Sequence, residues 1–137
     1  MTPVIARVRV IYGDTDMMGV AYYGNYLRWF EVGRNELIRA RGMTYRQFEE
    51  RGLILPVTDA AVKYLKSSVY DDELEIHTRL GELGRVRMEF VYDVWRAEGA
   101  SGPRTLVATG STTHACLARE GMRPTKIPPD VVEMLSR

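Results

Sequence analysis

Only one stretch of the 137 residues holds a helical period for long, and it is flanked on both sides by segments that alternate. Tyr26, Trp29, Phe30, Gly33, Leu37 and Ala40 recur at spacings of three and four, which is one apolar stripe of an amphipathic helix. Arg28, Arg34, Asn35 and Arg39 take the other side. Asn25 as N-cap and Gly42 just past the C-cap frame this helix at about residues 25–41. Glycine inside a helix costs about 1 kcal/mol relative to alanine, so Gly33 predicts a close approach of the helix to a sheet.

The flanking segments read as strands. Val4, Ala6, Val8, Val10 and Tyr12 share one face, with Arg7 and Arg9 on the other. Residues 53–66 are apolar and β-branched, and Pro56 marks an edge or a bulge there. In residues 73–80, Leu74, Ile76, Thr78 and Leu80 oppose Glu73, Glu75, His77 and Arg79. In residues 86–96, Val86, Met88, Phe90, Tyr92 and Val94 oppose Arg87, Glu89, Val91, Asp93 and Trp95. Residues 105–118 form a last strand. A short helix is expected at residues 45–51, stopped by Gly52, and another from about Asp130, opened by Pro128 and Pro129. One long helix cannot supply a parallel crossover for every strand, so the sheet is largely antiparallel and the class is α+β. Val91 and Trp95, with Val107 or Leu117, fall on the faces turned away from the helix, where a monomer would leave them in water. That pattern predicts a homo-oligomer: a dimer continuing the sheet edge to edge, with these positions pairing dimers into a tetramer.

Composition narrows the function classes. With 45% hydrophobic and 27% charged residues, the chain reads as a single domain over residues 1–137. A net charge of +1 is no footprint for nucleic acid. The single cysteine, Cys116, cannot close an intramolecular disulfide, which points to a reducing compartment and a cytoplasmic address. Arg7 and Arg9 interrupt the N-terminal apolar residues, so no signal peptide is expected, and no later run is long enough to span a membrane.

Chemistry concentrates in the loop GDTDMMGVAYYGN, which sets Asp14 and Asp16 just ahead of the long helix. Helix N-terminal N–H groups polarise a carbonyl or hold an oxyanion, and a carboxylate beside them can attack or activate water. Ordinary turn chemistry is the competing reading of Asp-Thr-Asp. His114 and Cys116 share a strand face, as a thiol–imidazole dyad or half a metal site would; a buried histidine beside a structural cysteine is the simpler account. Two ligands make no closed zinc site, and no metal is assigned. His77 reads as a solvated surface residue, and Glu31 and Glu36 as solvated or salt-bridged helix glutamates. Lys63 with Lys66, Arg85 with Arg87, and Arg123 with Lys126 form basic pairs near strand ends. The lack of a Gly-rich phosphate loop, of G-x-S-x-G and of H-E-x-x-H disfavours P-loop, serine-hydrolase and zincin chemistry.

The segment YGDTDMMGVAYYGNYLRWFEVGRNELIRARG, residues 12–42, resembles the hotdog-fold acyl-CoA thioesterases of the 4-hydroxybenzoyl-CoA thioesterase type. Looser likeness continues through VKYLKSSVYDDELEIHTRL and RPTKIPPDVVEML. The resemblance implies a long helix wrapped by a five-stranded antiparallel sheet, with an active site at a dimer interface. It further implies an acyl-CoA substrate and no cofactor. Asp16 then holds the position of the catalytic carboxylate, nucleophile or general base, and Tyr23 the position whose backbone N–H polarises the thioester carbonyl. Lys66, Arg85 and Arg87 fall where the family places basic residues toward the nucleotide. Some branches, including those associated with the Tol-Pal envelope system, carry histidine where this chain has Tyr23, which favours a mechanism that uses Asp16 without a histidine partner. Met17 and Met18 replace small residues or proline, implying a differently shaped acyl pocket. Two alternatives keep the fold: an acyl-carrier-protein thioesterase, and a non-catalytic acyl-binding module.

Overall fold

Alternation becomes strand and the single long period becomes helix in the computed structural model, which describes residues 2–137. In chain order the elements are β1 (Val4–Arg9), a 3-10 turn (Tyr12–Asp14), α1 (Asn25–Ala40), α2 (Tyr45–Glu50), β2 (Leu53–Ile54) and β3 (Val57–Tyr64). They continue with β4 (Glu73–Leu83), β5 (Arg87–Ala97), β6 (Arg104–Ala115), β7 (Leu117–Ala118), β8 (Arg123–Pro124) and α3 (Pro129–Leu135). The main sheet has five strands in the order β1-β4-β5-β6-β3, each neighbouring pair antiparallel. β2, β7 and β8 make a small second sheet.

Helix α1 lies on one face of the main sheet, against β1, β4 and β5. Its stripe of Tyr26, Trp29, Phe30, Gly33 and Leu37 is buried together with Leu74, Ile76, Phe90, Tyr92 and Val94 from the strands. Phe30 stacks on Tyr92 with ring centroids 4.2 Å apart. Gly33 is where the helix comes nearest: a Cβ there would stand 2.8 Å from Ile76 Cγ2 and closer still to Thr78 Oγ1. Gly42 ends the helix with φ +110°, a conformation that a Cβ opposes. This is the α+β, hotdog arrangement that the resemblance implies.

Local chemistry explains each departure from the sequence reading. Gly24 is the N-cap of α1, and Asn25 is instead the first helical residue, its side chain turned back to the Asp14 carbonyl. β1 stops at Arg9, because the Asp14 carboxylate accepts the Ile11 N–H at 2.9 Å and closes a 3-10 turn. Tyr12 consequently leaves the inward face and is exposed. Proline has no N–H for a ladder, and Pro56 splits residues 53–66 into β2 and the edge strand β3. The final strand likewise divides at Cys116 into β6 and β7. A bulge shifts the β5–β6 register, pairing Val94 with Ala108 and Trp95 with Leu106. Val107 is the extra residue and is buried, which removes it from the outward apolar set; Leu106 stands beside Trp95 in its place.

Replacing Gly33 by alanine tests the close approach. On an exposed helix this change stabilises by about 1 kcal/mol, but here overpacking, which costs about 1–3 kcal/mol, outweighs the gain. Urea unfolding should show Gly33→Ala less stable than wild type by about 1 kcal/mol; a stabilised variant would contradict the packing.

Candidate active site

The loop between the 3-10 turn and α1 is a small hairpin. Thr15 and Ala21 form an isolated antiparallel bridge. Inside it, the Asp16 N–H donates to the Val20 carbonyl at 3.0 Å and the Gly19 N–H to the Asp16 carbonyl at 2.9 Å, with Gly19 at φ +79°. The Met18 N–H donates to Asp16 Oδ1 at 2.8 Å. The carboxylate is thus anchored through one oxygen by its own turn, and the other oxygen has no hydrogen-bond partner among the described residues.

The start of α1 supplies the second component. The Asn25 N–H donates to the Tyr22 carbonyl at 3.0 Å, aiming that carbonyl into the helix. In a planar trans peptide the N–H points opposite to the C=O, so the Tyr23 N–H faces away from the helix. It finds no acceptor among the described residues, as expected at a helix start. Asp16 and Tyr23 line a cavity of about 260 Å³ with Val20, Tyr26, Tyr64 and Lys66. The Tyr64 hydroxyl donates to the Tyr23 carbonyl at 2.9 Å and fixes that residue from below. Tyr26 donates to Ser68 Oγ at 3.2 Å, and its ring meets that of Tyr64 edge-on at 5.3 Å. Burial pushes the phenols of both Tyr26 and Tyr64 up, so both remain O–H donors at neutral pH.

One chain brings together only part of the sequence-derived site. Asp16, Tyr23 and Lys66 share this cavity. Arg85 and Arg87 do not reach it: Arg87 is level with Ala115, whereas Tyr64 is level with Ala108. Seven residues of strand separate those levels, about 23 Å. A second cavity of about 390 Å³, which the alternation did not signal, lies near the Arg87 end. Glu31, Arg34, Asn35, Leu55, Val57 and His114 are among its walls.

His114 is buried, with Nδ1 2.9 Å from the Leu55 carbonyl and Nε2 2.8 Å from Thr112 Oγ1. Both ring nitrogens are occupied, so Cys116 has no imidazole partner, and burial raises its thiol pKa away from the reactive thiolate. The pair is a satisfied histidine beside a buried thiol, and no dyad. Among the described residues no three His, Cys, Asp or Glu side chains gather as a metal site would need. His77 is not simply solvated: it is half-buried, 3.1 Å from Glu75 and tilted against Trp95. Glu75 itself is buried on the outward face under Arg104, at 2.9 Å, and its hydrogen bond from Arg104 lowers its pKa. Glu31 and Glu36 pair along the helix with Arg34 and Arg39.

Residues 10–135 match the profile of the Thioesterase-like superfamily. The chain is 32% identical over 126 residues to the acyl-CoA thioesterase YbgC of Haemophilus influenzae, covering 90% of this chain and 88% of that one. It is 33% identical over 123 residues to the 1,4-dihydroxy-2-naphthoyl-CoA hydrolase of Synechococcus elongatus, covering 88% and 86%. Among solved structures, the DHNA-CoA thioesterase of Staphylococcus aureus superposes with a TM-score of 0.91 at 34% identity, over 99% of this chain and 90% of that one.

The buried imidazole has a consequence for stability. Desolvation lowers the His114 pKa below its unfolded value of about 6.5. Between the two values the unfolded chain binds more protons, so stability rises with pH there and is lost as pH falls below about 6.5. Glu75, whose folded pKa is lowered, adds a loss of the same sign as pH falls below about 4.3. Melting temperature should therefore drop from pH 7 to pH 5, with a flatter slope for His114→Gln; a wild-type melting temperature that rises on acidification would contradict this.

Proposed function

The chain belongs to the thioesterase-like superfamily, and on that premise we propose that it hydrolyses acyl-CoA thioesters, with Asp16 and the Tyr23 N–H as its working parts. The observation that carries this reading is an unpaired helix-start N–H and a carboxylate, anchored through one oxygen, on the walls of one cavity. A thioester carbonyl oxygen accepts the Tyr23 N–H, and the helix N-terminus stabilises the negative charge that grows on it. Asp16 then acts in one of two ways. As nucleophile it bonds to the carbonyl carbon, expels the coenzyme A thiolate and leaves an acyl-aspartyl anhydride that water hydrolyses. As general base it takes a proton from the water that attacks the same carbon, and the thiolate again leaves. The thiolate is a good leaving group, so positioning and a preorganised donor suffice for either route.

Lys66 stands at this cavity, and with Arg85 and Arg87 it serves the phosphates of coenzyme A. A second copy reconciles their separation. The outer edge of β3 has no partner strand, and Val57, Tyr64 and Leu65 are exposed there. A copy running antiparallel along that edge sets its Val57 end, and so its Arg85 and Arg87 end, beside the Tyr64 and Lys66 of the first. The homodimer therefore completes each site, and the half-buried outward row of Val91, Trp95 and Leu106 pairs dimers into a tetramer. The buried free Cys116 suits a cytoplasmic address. No helix among the described residues is long and apolar enough to cross a membrane.

Three measurements test the reading. Asp16→Asn is nearly isosteric and should lower turnover about 100- to 10,000-fold with the fold intact; turnover within about tenfold of wild type on the best substrate would sink the assignment. Exchanging Lys66, Arg85 and Arg87 for alanine should raise KM for acyl-CoA more than it lowers kcat, and should spare a truncated thioester lacking the nucleotide. Sedimentation should find a dimer or tetramer at micromolar concentration, and a stable monomer would remove the shared site.

A further inference from the structure

We infer that Asp14, Arg28 and Asn25 form a latch that holds the Asp16 loop against the start of α1, making them positioning residues for the reaction assigned above. The inference rests on that reading of Asp16 and Tyr23. Asp14 is 5% exposed and uses both its carboxylate and its carbonyl. Its Oδ2 accepts the Ile11 N–H at 2.9 Å on the upstream side of the loop. Its Oδ1 pairs with the guanidinium of Arg28, on the first turn of α1. Its carbonyl accepts the Tyr22 N–H at 2.8 Å and Asn25 Nδ2 at 2.7 Å. One residue, two positions before Asp16, thus bonds to the residue before Tyr23 and to two side chains of the helix that follows.

The geometry gives this arrangement a task. The hairpin that carries Asp16 is closed by its own backbone hydrogen bonds, so it moves as one piece. Its bonds to the helix start run through Asp14, while Ala21 ties its far side to the Ser68 carbonyl at 2.8 Å. The Tyr22 peptide that Asp14 holds adjoins the one that aims the Tyr23 N–H. The distance between carboxylate and N–H donor is therefore set by the latch, and a displacement of about 1 Å between reacting groups costs about 100-fold in rate. Arg28 reaches the buried carboxylate from solvent, its side chain 55% exposed and its guanidinium 5.8 Å from the centre of the Trp29 ring. It can therefore be exchanged without opening the core.

Steady-state kinetics on the best acyl-CoA substrate, with Arg28→Gln, Arg28→Lys, Asn25→Ala and Asp16→Asn run in parallel, test the latch. Arg28→Gln should lose about 30- to 100-fold in kcat with KM within about threefold. Arg28→Lys, which restores a cation, should recover to within about tenfold of wild type. Asn25→Ala leaves the ion pair intact and should lower kcat about tenfold at unchanged KM; it carries the test if Arg28→Gln does not fold. As a control, Arg51→Gln removes the exposed ion pair with Asp130 and should leave kcat unchanged. Folded Arg28→Gln or Asn25→Ala with wild-type kcat while Asp16→Asn is inactive would overturn the latch alone, as would a rise in KM at unchanged kcat. An Asp16→Asn variant with wild-type turnover would overturn the catalytic reading and the latch with it.

Discussion

Contact between α1 and the sheet at Gly33 governs the molecule. With no side chain at that position the helix settles onto Ile76 and Thr78, closer than any residue bearing a Cβ would allow. Tyr26, Trp29 and Phe30 then seal one side of the contact and Leu37 the other, each large apolar side chain contributing about 1.5–3 kcal/mol by leaving water. The seating fixes more than stability. The same rigid rod of Asn25–Ala40 presents its N-terminus to the Asp16 loop and its later turns, through Glu31, Arg34 and Asn35, to the second cavity.

Burial divides the labour between two aspartates that the sequence sets two residues apart. Asp14 is withdrawn from water, and each of its oxygens accepts a hydrogen bond, Oδ2 from Ile11, Oδ1 from Arg28 and the carbonyl from Tyr22 and Asn25. Such a group is structural, because a buried carboxylate without partners is costly. Asp16 is only half-buried, and its turn satisfies one oxygen. A carboxylate held in place yet incompletely paired, on the walls of the same cavity as an N–H in the same condition, suits carbonyl chemistry.

What was legible in the sequence follows the range of the interactions. The period of α1 and the alternation of β4 and β5 are properties of neighbours in the chain, and the elements appear there, with β4 running past residue 80 to Leu83 through a register shift that the alternation does not signal. The glycine at Gly33 carries enough local meaning to point to the helix–sheet contact, and the Asp-Thr-Asp loop enough to point to the candidate site. Other features depend on partners far along the chain. Glu75 looked like any solvent-facing strand residue and is buried because Arg104, 29 residues on, folds over it. His114 is satisfied by a carbonyl 59 residues away. The bulge that turns Val107 inward arises from the pairing of β5 with β6, and no periodicity within β6 signals it. Both aspartates of the loop looked alike until Arg28, 14 residues downstream, closed on one of them.

The central claim is that a preorganised backbone donor and one carboxylate make this fold a thioester hydrolase. Its most direct test is thiol release by the wild-type protein across a panel of aromatic, short-chain and long-chain acyl-CoAs, with the free acid quantified alongside. The account predicts equal amounts of coenzyme A thiol and free acid from at least one member of the panel, over many turnovers per chain. A folded protein that releases neither from any of them would contradict it.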